Sequence, residues 1–159
     1  RLPEVVRWMT RAPETFEDHQ AVFEQPEYLA KTLIVELEGE VVGDLMLSIG
    51  DAWAQAEATD RALGVQAELG WVLHPDHGGR GLATEAVSAL LRIAFADLGL
   101  RRVTAECFAA NEASWRLMER VGMRREAHTV RDSLHRSGEW LDGLSYALLA
   151  EEWRARQSG

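Results

Sequence analysis

The chain has 159 residues and a mass of 17.8 kDa, which is the size of one compact domain. Hydrophobic residues make up 47% and charged residues 27%, a balance typical of a folded protein rather than a disordered one. With 17 Lys and Arg against 26 Asp and Glu, the net charge is −9, and no basic cluster is long enough to predict a nucleic-acid-binding face. An acidic chain repels phosphate backbones but tolerates cationic substrates such as amines.

The cysteine count and the hydropathy of the chain indicate the cellular compartment. Cys107 is the single cysteine and cannot form an internal disulfide, which favours a reducing compartment such as the cytoplasm. No run approaches the roughly 20 apolar residues that span a bilayer, and no signal-peptide pattern opens the chain, so we expect neither a membrane partner nor secretion. His74 and His77 are not joined by a further cluster of ligands, so we expect no metal.

The first third of the chain predicts short helices followed by a β-hairpin. Residues Pro3–Thr10 favour a short helix, and residues 11–32 favour helix and loop. Two strands follow, Thr32–Leu37 and Val41–Ile49, joined by a turn at Glu38-Gly39-Glu40. The Ala-rich stretch 51–65 is predicted to be a loop.

The middle of the chain predicts a strand, a glycine-rich loop and an amphipathic helix. The strand Gln66–Leu73 stops at His74-Pro75, and the loop spans His77–Gly81. The helix ends at Gly99, and Arg102–Phe108 is the next strand. Helical spacing places the following apolar residues on one face: Ala83, Ala86, Val87, Leu90, Leu91, Ala94 and Phe95.

The last third predicts a second helix and a second hairpin. Asn111 is a plausible N-cap, and Gly122 ends that helix. Residues 124–149 predict two strands around Arg136-Ser137-Gly138, and Glu151–Arg156 forms a short polar end. The order of elements indicates an α/β (α+β) domain with a mixed sheet.

The glycine-rich loop carries the strongest chemical signal. A strand leads directly into it and a helix starts after it, so backbone N–H groups and the positive helix end favour a pyrophosphate. Arg80 adds one positive charge. A tight strand-to-helix turn without any ligand is the alternative, because such turns are common in α/β folds.

Two segments resemble signatures of the GNAT (GCN5-related N-acetyltransferase) superfamily. Residues Trp71–Ala86 resemble its acyl-CoA-binding segment, whose pattern Gln/Arg-x-x-Gly-x-Gly/Ala falls on Gly78, Gly81 and Ala83, with Gly78 departing from it. Residues Asn111–Met123 are similar to its second signature, Asn-x-x-Ser followed by a helix.

The start Ala83-Thr84-Glu85-Ala86 and the segment Trp140–Gly143 resemble the RimJ/RimL-like subgroup, which acts on ribosomal-protein N-termini. The resemblance covers residues 3–153 and implies a single acyltransferase domain over residues 1–159. It implies a mixed, mostly antiparallel sheet flanked by helices. Family members begin with a β-strand, so we expect the first strand to be missing from this chain.

The resemblance also implies partners and binding residues. Acetyl-CoA is the implied cosubstrate and an amine the acceptor, with no metal, nucleic acid or membrane involved; a homodimer is a further implied option. A backbone N–H at Val72 or a neighbour is implied to bind the thioester oxygen. The residues implied to bind the cosubstrate are Trp71, Val72, Leu73, Gly79, Arg80, Gly81, Leu82, Ala83, Thr84, Asn111 and Ser114.

Three residues are catalytic candidates by this resemblance. Glu68 and Glu106 are candidate bases, each with the alternative of a solvated strand carboxylate. The family's usual acid is a Tyr, and Met118 stands at that position and donates no proton. Either the thiolate leaves unassisted or Ser114 donates, with a structural serine as the alternative. Asp132 is a reserve base.

These observations indicate an N-acetyltransferase in which an amine attacks acetyl-CoA directly in a ternary complex. A non-catalytic acyl-CoA-binding sensor or interaction module is the main alternative, and Met118 is the residue that keeps it open. A plain α/β domain without CoA is the third interpretation. The sequence carries no readable code for the acceptor amine.

Overall fold

The computed structural model describes residues 2–158. The helices are α1 (Pro3–Val6), α2 (Phe16–Phe23), α3 (Pro26–Leu29), α4 (Leu82–Arg92), α5 (Glu112–Arg120) and α6 (Ala150–Gln157). The strands are β1 (Thr32–Leu37), β2 (Glu40–Gly50), β3 (Gln66–Leu73), β4 (Arg102–Phe108), β5 (Arg124–Leu134) and β6 (Trp140–Leu149). Short 3₁₀ turns cover Ala56–Arg61 and Pro75–His77, and a π-helical turn covers Ile93–Asp97.

The strands form one six-stranded sheet in the order β1-β2-β3-β4-β6-β5. Only β3 and β4 pair in parallel, while all other neighbours in this sheet are antiparallel. Helices α4 and α5 cross between strands, as an α/β chain requires. The predicted fold class, a mixed and mostly antiparallel sheet with flanking helices, is confirmed. Within the described residues, β1 is the first strand and three short helices precede it.

One face of the sheet, here called the core face, is buried under the amphipathic helices. Alternate strand residues such as Leu69, Val103 and Tyr146 join Leu90 and Phe95 in a single hydrophobic cluster. The other set of alternate residues lies on the opposite side, here called the second face, because side chains alternate along a strand. β3 and β4 therefore present different sets of side chains to the core face and to the second face.

The predicted ends of α5 are confirmed, whereas α4 ends at Arg92, short of the predicted end at Gly99. Asn111 caps α5, with its side chain accepting from the Ser114 N–H at 3.4 Å. Gly122 follows with φ +97°, and the Met123 N–H donates to the Met118 carbonyl at 2.9 Å, which closes the helix in a Schellman arrangement. Gly99, with φ +65°, follows the π-helical turn after α4. The sequence did not predict that turn.

The prediction of a loop over residues 51–65 was incomplete. A 3₁₀ turn forms at Ala56–Arg61, and Ala62 next to it is buried. The Asp51 carboxylate accepts from the Gly64 N–H at 2.7 Å, which ties the two ends of the segment together. A segment without apolar periodicity is thus ordered by one side chain that acts on the backbone.

The polar end predicted at Glu151–Arg156 is a helix, α6. Its helical face is too short to give a periodic signal, because Ala150 and Trp153 alone carry its apolar contact. The Trp153 ring lies 5.6 Å from the Phe95 ring, centroid to centroid, so α6 packs against the π-helical turn after α4.

Candidate active site

β3 and β4 separate after a short contact. They pair at three successive positions, the last of which is Glu68 opposite Thr104. Beyond that point β3 continues to Leu73 beside β2, and β4 continues to Phe108 beside β6. The two edges that face each other then carry backbone N–H and C=O groups without a strand partner. They bound a wedge-shaped opening, which we call the cleft.

A glycine in β2 allows that strand to support the cleft wall. Gly43 pairs with Leu73, and a Cβ at Gly43 would lie 2.3 Å from the Val72 carbonyl oxygen. The pairing of β1 with β2 is irregular at the same level, between Val35 and Glu36. Only glycine permits so close an approach, so the position of Val72 at the cleft depends on Gly43.

The loop between β3 and α4 exposes backbone N–H groups. Gly79 and Gly81 have φ of +72° and +80°, and open space surrounds both positions. Gly81 is the N-cap of α4 and offers no side chain, and the first helical bond runs from the Glu85 N–H to the Gly81 carbonyl at 3.0 Å. Within residues 2–158 the N–H groups of Leu82–Thr84 therefore have no partner. This arrangement fits a phosphate group.

The residues implied to bind the cosubstrate surround this end of the cleft. Trp71, Val72 and Leu73 form its β3 wall, and Gly79–Thr84 follow directly in the loop and the first turn of α4. Arg80 is exposed within that loop. The Arg120 guanidinium donates to the Thr84 hydroxyl oxygen at 3.2 Å, which brings a second positive charge from α5 to the same turn.

The start of α5 follows the end of β4 closely. Asn111 is half-buried and acts as the N-cap, and Ser114 is half-buried in the first turn. Ser114 lies beside Cys107, which packs against the core cluster. Burial raises the pKa of the Cys107 thiol to about 11, with the Ser114 hydroxyl partly opposing the shift, so the thiol is protonated at neutral pH.

Neither Met118 nor the nearest buried tyrosine presents a free proton donor. Met118 is 0% exposed and belongs to the core. Tyr146 is buried on β6, where its hydroxyl donates to Glu119 Oε1 at 2.8 Å and accepts from Arg125 Nε at 3.0 Å. Both hydrogen-bonding capacities of that hydroxyl are therefore used within the fold.

The two candidate bases lie on the second face, on opposite strands of the cleft. Glu68 is exposed at the apex, where the strands separate. Glu106 is exposed on β4, two residues beyond Thr104 and hence on the same face. The Ser145 hydroxyl donates to Glu106 Oε1 at 3.2 Å. Ser114 is not near this pair, because it lies beside Cys107 on the core-face side.

Three rings form a cluster at the end of β4, here called the aromatic wall. Phe108 lies 5.9 Å from Trp8 and 5.5 Å from His135, and Trp8 lies 5.7 Å from His135, all between ring centroids. His135 Nε2 donates to the Arg7 carbonyl at 2.9 Å, and Arg136 donates to the Met9 carbonyl. Phe108 follows Glu106 by two residues, so the aromatic wall borders the second face of the cleft.

The aromatic wall was not predictable from the sequence. Trp8 and His135 are far apart in the chain, and no local pattern signals that they meet.

No helix within residues 2–158 is long and apolar enough to cross a membrane. In the same range no group of three or more His, Cys, Asp and Glu side chains is placed to hold a metal ion. The rings of His74 and His77, the pair considered above, lie 6.0 Å apart between centroids.

Known proteins are similar to this chain in sequence and in fold. A family model described as acetyltransferase (GNAT) domain matches residues 1–124. The chain is 40% identical to the uncharacterized N-acetyltransferase YnaD of Bacillus subtilis over 86 residues, 54% of this chain and 50% of that protein. It is 34% identical to the putative ribosomal N-acetyltransferase YdaF of the same species over 92 residues, 58% of this chain and 50% of that protein. The chain thus spans about half the length of these curated relatives.

Solved structures agree with the sequence matches. An acetyltransferase of the GNAT family from Bacillus anthracis superposes with a TM-score of 0.75 at 32% identity, covering 93% of this chain and 82% of that one. The family model covers well over half of the chain, and the sheet order and the cleft accord with the resemblance drawn from the two signatures. The chain therefore belongs to the acetyltransferase (GNAT) family.

Proposed function

We propose that the chain, as one domain, is an N-acetyltransferase that moves an acetyl group from acetyl-CoA to a primary amine, on a protein N-terminus or a small molecule. The observation that carries this proposal is the continuity of the glycine loop with the cleft along β3. Free N–H groups at Leu82–Thr84 lie at one end of this surface, and the Glu68 carboxylate lies at the other.

The chain's own groups fit the cosubstrate. When bound, acetyl-CoA supplies an acetyl group activated as a thioester. The N–H groups of Leu82–Thr84 bind its phosphates, and Arg80 adds charge. The free edge of Trp71–Leu73 pairs with the amides of the pantetheine arm, and Asn111 binds that arm beside its capping role. The Val72 N–H, or that of a neighbour, binds the thioester oxygen.

The amine must lose a proton to react, because alkyl ammonium groups have a pKa near 10.4. Glu68 accepts this proton at the apex of the cleft, directly or through water. Glu106 on the opposite strand is the alternative acceptor or the second member of a water relay. The amine nitrogen forms a bond to the carbonyl carbon, the carbon–sulfur bond breaks, and the thiolate leaves.

The thiolate leaves either unassisted or with a proton from Ser114. Ser114 lies at the start of α5, on the core-face side, from which α4 and its glycine loop also approach the cleft. The two carboxylates lie on the second face. This separation supports an arrangement in which the cosubstrate binds from the helix side and the amine binds from the second face.

A non-catalytic acyl-CoA-binding sensor is the second candidate. The observation that favours it is the burial of Met118 where relatives carry a proton-donating Tyr, while the nearby Tyr146 hydroxyl is already bonded to Glu119 and Arg125. A sensor of this kind needs the glycine loop but neither of the carboxylates.

An amine panel with acetyl-CoA distinguishes the two. Free thiol release is followed for protein N-terminal peptides, polyamines and simple alkylamines, and acetyl-CoA binding is followed separately by thermal melts. The enzyme predicts thiol release with at least one class of amine. Ligand-dependent stabilisation without thiol release from any of them favours the sensor.

We also propose a reducing, cytoplasmic setting, since Cys107 is the single cysteine and cannot form an internal disulfide. We further propose that two copies of the chain associate as a homodimer. Size-exclusion chromatography with light scattering tests the homodimer, through the mass of the particle in solution.

A further inference from the structure

Asp44 is a half-buried carboxylate on β2 that belongs to neither signature. It lies opposite Val72 in the β2–β3 pairing. Within residues 2–158 no hydrogen bond or ion pair reaches its side chain. A partly desolvated carboxylate without a partner is unfavourable for folding, so its presence on β2, beside the β3 wall of the cleft, calls for a functional reason.

The strand register places Asp44 on the same face as the proposed base. Ser48 lies opposite Glu68, and Asp44 precedes Ser48 by four residues on the same strand, so both side chains share the second face. Four residues along a strand span about 13 Å. Glu68 thus lies at the apex of the cleft, and Asp44 lies about 13 Å further toward its open end.

The N-terminal helices enclose this position. A cluster of tilted rings joins α2 to α3, with Phe23 lying 4.3 Å from His19 and 4.7 Å from Tyr28 between centroids. Burial raises the pKa of Asp44, and the charge of His19 opposes that shift. Burial and then the Asp44 charge raise the pKa of Tyr28, while Arg11 lowers it. The titratable groups that interact electrostatically with Asp44 are therefore His19 and Tyr28, and Arg11 acts on Tyr28.

We propose that Asp44 determines acceptor specificity by binding a second positive charge of the acceptor while the reacting amine lies at the thioester and passes its proton to Glu68 through water. This inference rests on the proposed function and names the acceptor class: amines that carry a second cationic group. On the opposite side of the cleft, the aromatic wall lies at the end of β4 and includes Phe108. A cationic acceptor in this part of the cleft therefore pairs with the Asp44 carboxylate on β2.

Matched acceptors test the proposal in wild type, Asp44→Asn and Glu40→Gln. Diaminooctane is compared with octylamine, and a short peptide with a free N-terminus and one lysine is compared with its norleucine counterpart. Glu40 is an exposed carboxylate at the start of the same strand, so Glu40→Gln controls for the general loss of one negative charge.

Wild type is expected to prefer the dicationic member of a pair. Asp44→Asn is expected to lower kcat/KM for that member by about 10- to 100-fold, mainly through KM, and to change the monocationic member little. Glu40→Gln should leave both ratios unchanged. The pair that shows the effect identifies the source of the second charge, a diamine or a basic peptide.

Stability provides the second readout. Removing an unpartnered carboxylate should leave the Tm of Asp44→Asn unchanged or higher. Equal losses for both members of a pair, or an unchanged preference for the dicationic member, overturn the proposal while the N-acetyltransferase function stands. Wild type that acetylates no amine at all contradicts the proposed function itself.

Discussion

Glu68 and Thr104 form the last backbone-paired position between β3 and β4, so the proposed base lies where the sheet begins to open. A carboxylate on this face needs no loop to position it, because two paired strands fix its backbone. Beyond this level each strand is bonded on one side only, and the free edge of β3 leads to the glycine loop.

We predict that Glu68→Gln lowers kcat/KM by about 10²–10⁴-fold and leaves acetyl-CoA binding unchanged. The substitution keeps size and hydrogen bonding but removes the proton acceptor. The loss should shrink at high pH, where more of the amine is neutral. Steady-state kinetics across pH, together with thermal melts in acetyl-CoA, measure both effects.

Glu106→Gln is the control for this prediction. Equal losses in both variants support a shared water relay, whereas a loss confined to Glu106→Gln shows that the base is on the other strand. If neither variant loses activity, the amine loses its proton elsewhere. Asp132 is then a weak candidate, because hydrogen bonds from Thr129 and Ser133 lower the pKa of its carboxyl.

We predict that Gly81→Val abolishes stabilisation by acetyl-CoA. Gly81 has φ +80°, and a side chain there blocks the approach of phosphate to the first turn of α4. Gly39→Val is the matched control, because Gly39 has φ +89° in equally open surroundings, in the turn between β1 and β2. Both variants should lose stability, but only Gly81→Val should lose the ligand-dependent shift in Tm. A normal shift in Gly81→Val argues against phosphate binding at this loop.

We predict that Gly43→Ala destabilises the protein by about 1–3 kcal/mol and weakens acetyl-CoA binding. The new Cβ would lie 2.3 Å from the Val72 carbonyl oxygen, so β2 and β3 must move apart at the cleft. Gly50→Ala, at the end of the same strand with nothing within 4 Å, should do neither. Urea unfolding and ligand melts provide the comparison. Equal behaviour of the two variants contradicts the role assigned to Gly43.

We predict that Met118→Tyr lowers the free energy of unfolding by about 1–3 kcal/mol without raising activity. Met118 is 0% exposed, so the larger ring overpacks the core between α5 and the sheet. Met118→Leu conserves volume and should be nearly neutral. Inactive wild type together with an active Met118→Tyr variant is the opposite result, and it favours a sensor descended from an enzyme.

We predict that an ion network of Glu126 makes the protein sensitive to acid. A hydrogen bond from Arg102, aided by Arg124, lowers the pKa of Glu126 to about 2. Because the folded pKa lies below the ordinary value near 4.3, the stabilisation is complete above that value and is lost as pH falls toward 2. The Glu126 side chain is 31% exposed, so its contribution is about 1 kcal/mol after screening.

Urea unfolding between pH 7 and pH 2 tests the network with Glu126→Gln. This variant should be less stable at neutral pH and should lose less on acidification. Glu112→Gln is the control, because the ion pair of Glu112 with Arg116 is exposed on α5. Parallel acid profiles for wild type and Glu126→Gln rule out a contribution from this carboxylate.

Much of the fold was predictable because its signals are local. Asn111 and Gly122 mark the ends of α5 through their own backbone preferences, and the glycines after Leu73 mark the loop before α4. These local signals also placed the residues implied to bind the cosubstrate on adjacent elements. The strand boundaries followed from the same turn residues.

The features that were not predictable depend on distant contacts. Trp153 gains its role only by meeting Phe95, and Trp8 by meeting His135, and neither meeting has a periodic signature. In the sequence, Asp44 resembles any polar strand residue. Only the strand register shows that it lies opposite Val72. The separation of β3 from β4 is likewise a property of pairing and not of either strand alone.

Mass spectrometry of acetyl transfer tests the central claim most directly. The protein is incubated with isotopically labelled acetyl-CoA and an amine acceptor, and label is measured in the acceptor and in the intact protein. Direct transfer predicts labelled acceptor, an equal amount of free CoA thiol and no label on the protein, including on the protonated thiol of Cys107. Thiol release without labelled acceptor, or label that passes first through the protein, would contradict the account.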